Sequence, residues 1–291
     1  MFPKVPDHHK PNKPRVPNGL GVIYVLVSAT YLFLLYWFKT VGIENPNNSS
    51  SALTLAVCII FGGFMGLLDD WMDLKWRYKA FFPLIAAIPL IALATQLEPR
   101  TSIAIPIVGA IDFGVYYYFI VIPLIITVTT NTVNQLGGLN GLETICPAIV
   151  VIGMMTISGS KAILLYAPLV VWLSLAFFNF QGKIFVGNTG SFAIGMTLAA
   201  FAIISDLKSG LLISLLPYIL NSSLILSTFF LFKTKASAIF DGEKIYSNHK
   251  RSLVTLVTYH RPLSERQIVM IISFFIAVST CVGFFIQFLS L

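Results

Sequence analysis

Long apolar runs return along almost the whole chain, and they limit the fold more than any other feature. They lie near 19–38, 52–68, 80–96, 115–133, 142–158, 162–178, 191–206, 209–231 and 267–289. A bilayer core of about 30 Å takes roughly 20 residues of helix to cross. The pattern therefore predicts an all-α polytopic membrane protein with about nine transmembrane helices, built as a single domain over 1–291. Composition agrees: 56% of residues are hydrophobic, 11% are charged, and the mean hydropathy is +0.84. Soluble domains carry about 25% charged residues, so a soluble enzyme, a coiled coil and a disordered chain are excluded. Cys58, Cys146 and Cys281 fall inside apolar runs and read as small core residues rather than a disulfide framework. Residues 1–18 are polar and proline-rich, unlike a cleavable signal sequence.

The polar connections set the orientation. Alternating the runs from an N-terminus placed inside puts fifteen lysines and arginines on the inner side, from Lys4 to Arg266. Four fall outside: Lys39, Arg100, Lys161 and Lys208. This bias predicts a cytoplasmic N-terminus. It also accounts for the net charge of +7 without nucleic acid as a partner. On the outer side, Asn47 and Asn48 each begin an N-x-S pattern, a possible glycosylation acceptor that is common by chance. The alternation in 101–113 predicts a short surface hairpin.

Four polar segments carry the candidate chemistry. In the first, Leu67–Lys79, three carboxylates, Asp69, Asp70 and Asp73, lie within five residues, and Asp69 and Asp73 share a helical face at i, i+4. Their repulsion is offset by Mg²⁺ and phosphate, with Arg77 and Lys79 as phosphate partners, or by solvent in a mixed-charge loop. The second runs from Asn131 to Glu143. Asn131 and Asn134 stand on one face, Gly137, Gly138 and Gly141 break the helix, and Asn140 offers an amide to a base edge. Its other reading is a helix C-terminus with satisfied amides. The third, Lys183–Ser191, puts Gly187, Asn188 and Gly190 at a helix start. There the backbone N–H groups attract phosphate, or the side chains cap the helix. The fourth is the inner loop 232–265, with Lys244, His249, Lys250, Arg251, His260 and Arg261. It suits a diphosphate or sugar clamp and equally a basic surface facing anionic lipid. Alternation places all four segments on one face, which independent decoration would do about one time in sixteen. Together they describe a polar, metal- and phosphate-friendly site at the cytoplasmic interface, where a soluble anion can meet a lipid-borne substrate.

Asp69-Asp70-x-x-Asp73, Asn131-x-x-Asn134 with Gly-Gly-Leu-Asn-Gly-Leu-Glu, and Phe185-Val-Gly-Asn-Thr-Gly-Ser together resemble the polyprenyl-phosphate N-acetylhexosamine-1-phosphate transferases. The ending Leu-Asn-Gly-Leu-Glu and the stretch Leu74–Lys79 are similar to the archaeal and eukaryotic branch, the UDP-GlcNAc–dolichyl-phosphate GlcNAc-1-phosphate transferases. The resemblance spans about Lys10 to Arg266. It implies transfer of a sugar-1-phosphate from a UDP-N-acetylhexosamine to a polyprenyl or dolichyl phosphate, release of UMP, and the start of lipid-linked glycan synthesis. It implies Mg²⁺ or Mn²⁺, held at the positions of Asn134 and Asn188. Lys79 matches the lysine on the diphosphate, with Asp69 and Asp70 near the lipid phosphate and Asp73 completing the acidic motif. Asn140 and Gly138 match the uridine-contacting turn, with Asn131 and Glu143 flanking it. His249, Arg251 and Arg261 match the inner basic loop only loosely. A homodimer is compatible with this reading. Two departures stand out. Gly187-Asn188 replaces the usual Gly-Asp, which weakens a hard cation site. The family also usually carries a tenth helix ahead of the segment at Lys10, where nine residues stand here. A transporter and a catalytically silent homologue that binds nucleotide-sugar or lipid remain open from the residues alone.

Overall fold

The computed structural model describes residues 2–41, 46–97, 100–105, 109–234 and 237–289, the side chains of 39–41, 46–49, 97, 105 and 232 excepted. The side chains of Asn47 and Asn48 thus lie outside the described set. So do residues 106–108, the turn of the expected hairpin.

The described residues form a helical bundle with short strand pairs at its ends. Its long helices are α1 (Gly21–Val41), α2 (Pro46–Met72), α3 (Trp76–Leu97), α4 (Ile122–Gln135), α5 (Leu142–Ile157), α6 (Tyr166–Phe180) and α7 (Gly187–Ile204). A short α8 (Lys208–Ser214), then α9 (Leu216–Phe232), a one-turn α10 (Leu253–Val257) and α11 (Glu265–Leu289) complete them. Seven helical stretches are long and apolar enough to cross a membrane, or eight if the pair α8 and α9 forms one span. That pair bends by 53°. Pro217, in the first turn of α9, lacks the N–H that would continue α8 and crowds the preceding turn. The run at 142–158 is α5, an apolar helix of 16 residues. At 1.5 Å per residue it covers about 24 Å, less than a bilayer core. The expected nine spans therefore resolve into seven long ones, a bent pair and this shorter helix.

Helix α7 is the axis of the bundle. Every residue from Thr189 to Ile204 is buried, and α1, α2, α4 and α5 pack around it. Its glycines and alanines let neighbouring backbones approach closely, as membrane helix interfaces require. A Cβ on Gly66 of α2 would fall 2.1 Å from the Asn188 carbonyl oxygen, so only glycine seats α2 against the start of α7. Inside the core, the Tyr24 hydroxyl bonds with Thr197 Oγ1 at 2.7 Å, and Trp172 Nε1 donates to the Thr144 carbonyl at 2.8 Å. Large apolar side chains such as Phe64, Phe81, Phe177 and Phe274 face outward. A fold in water could not expose so many, and lipid makes it favourable.

The two ends differ in construction. At one, β3 (Ser102–Ile105) pairs antiparallel with β4 (Gly109–Asp112), the hairpin expected from the alternation in 101–113. Beside it, buried Lys208 pairs with Asp206 at 2.6 Å and donates to the Arg100 carbonyl. At the other end, β1 (Lys4–Pro6) and β2 (Arg15–Pro17) form an N-terminal hairpin, and β5 (Ile239–Phe240) pairs with β6 (Ile245–Tyr246) in the inner loop. The N-terminal hairpin is stitched to the segment before α7: Phe185 N–H donates to Pro17 O at 2.8 Å, and Gly21 N–H to Val186 O at 2.9 Å.

Candidate active site

The end of α2 carries the first two aspartates, and they do different things. The helix runs four residues past the apolar stretch 52–68, which places Asp69 and Asp70 in its last turn. Asp69 is 3% exposed. Its Oδ1 accepts the Leu74 N–H at 3.0 Å, closing the chain over the helix end, and its Oδ2 lies 2.8 Å from Lys79 Nζ. Asp70 points to α7, as the separation of faces on a helix demands. Its Oδ1 accepts the Asn188 N–H at 2.9 Å, and its Oδ2 accepts both the N–H and the hydroxyl of Thr189, at 2.9 and 2.8 Å. Asp70 thus caps α7 from another helix, and Val186, at the cap position itself, contributes no side-chain bond. This settles the third segment differently from either expectation. The N–H groups of Asn188 and Thr189 are neither open to phosphate nor capped locally. They are taken by Asp70. Gly187, at φ +70, brings the chain within reach of that carboxylate, where a Cβ would fall 2.8 Å from Asp70 Oδ2.

Asp73 does not join them. The helix ends at Met72, and Asp73 is exposed on left-handed backbone at φ +47, so the expected shared face with Asp69 is lost. Its N–H still donates to the Asp69 carbonyl at 3.0 Å, and it is the left-handed backbone that turns the side chain off that face.

Lys79 sits in the first turn of α3 with its ammonium on Asp69. Asn131, on α4, donates its Nδ2 to the Lys79 carbonyl at 3.2 Å and to the Thr127 carbonyl at 2.9 Å. Its donor end therefore ties α3 to α4. Asn134, one turn on, accepts from Ser191 Oγ at 2.6 Å, which links α4 to α7. Glu143, half-buried in the first turn of α5, faces Ser191 and feels the charge of Asp70. So Asp69, Asp70, Lys79, Asn131, Asn134, Glu143 and Asn188 form one constellation built by α2, α3, α4, α5 and α7.

The glycine turn lies beside it. Gly138, at φ +108, is exposed and has open space where a Cβ would be. Asn140 is 4% exposed. Its Nδ2 donates to Asp7 Oδ2 at 2.8 Å and to Glu265 Oε1 at 2.9 Å, and its backbone N–H donates to the same Glu265 oxygen at 2.7 Å. Its Oδ1 is buried without a partner. A cavity of about 260 Å³ opens next to this turn, lined by His9, Gly137, Gly138, Asn221, Ser252 and Thr255, among others.

The inner loop reaches this cavity through its backbone and small polar residues rather than through its cations. Ser252 caps α10 in a capping box with Thr255. Asn221 of α9 accepts the Leu253 N–H at 2.9 Å and donates to Gln135 O at 3.2 Å, which docks α10 against the end of α4. His249 is partly buried, and its Nδ1 has no hydrogen-bond partner. Arg251 bonds to Thr234 Oγ1 at 2.8 Å, and Arg261 is exposed. None of the three basic side chains lines the cavity. Among the described residues, no group of three or more His, Cys, Asp and Glu is arranged to hold a metal ion.

Two residues of the site escape a reading of the sequence. Asp7 stands in a proline-rich leader with no periodicity to mark it. Glu265 follows Ser264 at a helix start, where an acid is ordinary complement to the helix dipole. Neither position signals that both converge on Asn140.

Comparison with known proteins places this arrangement. Residues 52–206 match the family described as glycosyl transferase family 4. The chain is 31% identical over 276 residues to a Saccharolobus solfataricus protein provisionally named UDP-N-acetylglucosamine–dolichyl-phosphate N-acetylglucosaminephosphotransferase, covering 91% of this chain and 82% of that one. It is 26% identical to the Dictyostelium discoideum protein of the same enzyme name, over 94% and 78% of the two chains. It is also similar, at 28%, to a phospho-N-acetylmuramoyl-pentapeptide-transferase from Bacillus cytotoxicus, over 84% and 78%. The matched family segment begins in α2 and ends after α7, so it encloses the constellation of Asp69, Lys79, Asn134 and Asn188, and the chain belongs to glycosyl transferase family 4.

Proposed function

We propose that the protein transfers N-acetylglucosamine-1-phosphate from UDP-N-acetylglucosamine to a polyprenyl phosphate of the dolichyl kind, releasing UMP. The observation that carries this reading is the Asp69–Lys79 ion pair set beside the Asp70-capped start of α7 at one end of an apolar helical bundle. The excess of lysine and arginine on the same side supports a cytoplasmic face, where nucleotide-sugars are available.

Phosphoryl transfer asks a protein for positioning and charge neutralisation more than for covalent chemistry. A phosphate oxygen of the lipid attacks the sugar-bearing phosphorus of the donor. The new P–O bond forms as the bond to the UMP oxygen breaks, and its electron pair leaves with UMP. A phosphate monoester is largely dianionic near neutral pH, so no strong base is required. Lys79, at the head of α3, offsets charge on the diphosphate, and Asp69 holds its ammonium in place. Both Asp69 oxygens are engaged, which favours direct displacement over a phospho-aspartate.

The donor set suits a hard divalent cation. Asn134 Oδ1 uses one acceptor direction on Ser191 and keeps another, Asn188 stands on the adjacent helix start, and Asp69 and Asp70 supply negative charge nearby. Mg²⁺ or Mn²⁺ bound by Asn134 and Asn188 would neutralise the diphosphate and polarise the leaving phosphate. Asp70 acts at one remove, by fixing the start of α7 and with it Asn188.

Purified protein incubated with Mg²⁺, polyprenyl phosphate and UDP-N-acetylglucosamine tests this reading. UMP and a lipid-extractable N-acetylglucosamine diphosphate are expected in equal amounts. Nucleotide binding without turnover, in the native chain and in Asn188→Asp alike, would identify a silent homologue instead.

A further inference from the structure

We propose that Asp7 and Glu265 are positioning residues that lock the Asn140 amide in one orientation, and that the locked amide selects uracil over cytosine in the bound nucleotide. The proposal rests on the reading of this chain as a UDP-sugar transferase and deepens it.

A primary amide has two ends of nearly equal size and opposite hydrogen-bonding character, and a half-turn of the side chain exchanges them. At Asn140 the exchange is blocked. Two carboxylate oxygens from distant parts of the chain face one amide nitrogen, Asp7 Oδ2 at 2.8 Å and Glu265 Oε1 at 2.9 Å. Turning the amide would press its oxygen against both carboxylates. Glu265 also accepts the backbone N–H of Asn140, so main chain and side chain are fixed from one point. Asp7 is itself held. Its own N–H donates to Pro14 O at 3.0 Å within the N-terminal hairpin, its Oδ1 accepts the His9 N–H at 3.2 Å, and Lys10 Nζ lies 3.4 Å from its Oδ2.

The consequence is an acceptor held in one direction. Asn140 Oδ1 is buried and has no partner. It faces Gly182, at φ +65, where a Cβ would fall 3.5 Å from it, and the Lys10 ammonium occupies the space between them, so a ligand reaches the acceptor by displacing that flexible side-chain end. A buried acceptor is expensive to leave unpaired, and structures seldom leave one so unless a ligand completes it. The ring of uracil carries a hydrogen at N3, which needs an acceptor. Cytosine has a lone pair at N3 and needs a donor. With its nitrogen committed to two carboxylates, Asn140 offers only its oxygen. Neither Asp7 nor Glu265 has a part in the phosphoryl chemistry, which lies at Asp69 and Lys79.

The test uses the full chain in detergent, with UDP and CDP as competitors of turnover with UDP-N-acetylglucosamine. The native protein is expected to prefer UDP to CDP by about tenfold or more, as a site built around a specific hydrogen bond does. In the double variant Asp7→Asn/Glu265→Gln the new carboxamides can donate or accept, so the Asn140 amide is free to turn. The UDP-to-CDP ratio should then fall toward one, with the KM for UDP-N-acetylglucosamine rising more than kcat falls. A purely structural role would lower the thermal midpoint and leave that ratio unchanged, and an unchanged ratio overturns the proposal. Where the double variant does not fold, N3-methyl-UDP serves with the native protein. About tenfold weaker inhibition than by UDP supports the proposal, and equal inhibition overturns it. A native protein that turns over donor but inhibits equally with UDP and CDP loses the lock alone. One that neither turns over donor nor binds UDP loses the transferase reading and the lock together.

Discussion

The two ends of the bundle both gather charge, and they handle it in opposite ways. At the β3–β4 end the charges answer one another. Lys208 is met by Asp206, the Arg100 carbonyl and the ring of Tyr117, Lys161 Nζ donates to the Ile204 carbonyl, and Gln287 joins Gly210 to Asp206 O. At the β1–β2 end the groups are held and left open. Asn140 Oδ1, Gln135 Oε1 and His249 Nδ1 are buried without hydrogen-bond partners, and Asp69 Oδ2 has only the Lys79 ammonium. The Tyr117 and Ser205 hydroxyls lack partners at the β3–β4 end too, so it is the unpaired amide, imidazole and carboxylate acceptors, not unpaired atoms as such, that separate site from framework. One end spends its charge on joining helices. The other holds acceptors in place for something that arrives.

Substitutions at the two ends should therefore fail differently. The largest effect is expected at Lys79: Lys79→Met should lower kcat about 10²–10³-fold, the scale of losing one transition-state contact, a loss that persists at temperatures where the variant is fully folded although buried Asp69 loses its only cation. Full turnover in that variant would erase the distinction between the ends. At the other end, Lys208→Met should reverse the pattern. It leaves Asp206 with Arg100 alone, at 3.9 Å, and frees the Arg100 carbonyl, so unfolding should become easier by about 1–2 kcal/mol with KM unchanged, as denaturant melts would report. Gly66→Ala joins both behaviours, because its methyl group would meet the Asn188 carbonyl. A loss of about 1–3 kcal/mol of stability together with lower kcat is expected. Normal stability with normal rate would mean that α2 and α7 are not so tightly seated. The smallest effect belongs to Asn188→Asp, which should lower the Mg²⁺ concentration for half-maximal rate by about tenfold. An unchanged Mg²⁺ requirement would remove Asn188 from the metal position.

Much of this was legible in the sequence because membrane folding leaves coarse marks. Apolar length announced the helices, and alternation announced the hairpin at 102–112. The run at 142–158 coincides with α5, Leu142–Ile157, whose 16 residues make it shorter than the other spans. The polar motifs were visible as motifs, and the bundle does gather Asp69, Asp70, Lys79, Asn134 and Asn188. Their division of labour was not visible. Asp69 and Asp70 are neighbours of identical chemistry, and only the 100° turn between them sends one to Lys79 and the other to α7. Asp73 looked like their partner until the helix ended at Met72. The convergence of Asp7 and Glu265 on Asn140 joins positions 133 and 125 residues apart, and no local pattern encodes such a meeting.

The cap that Asp70 places on α7 has a consequence for biosynthesis. Asp70 precedes Asn188 by 118 residues. At about 5–20 residues per second, a ribosome delivers the second partner roughly 6–24 s after the first. Throughout that interval a carboxylate waits at the membrane surface with α2 already inserted, and α7 has no lid for its first turn when it emerges. Completion of the site and seating of the central helix are thus one event, late in translation. A nascent chain stalled before Gly187 would carry every acidic residue of the first motif and still have no site to offer a substrate.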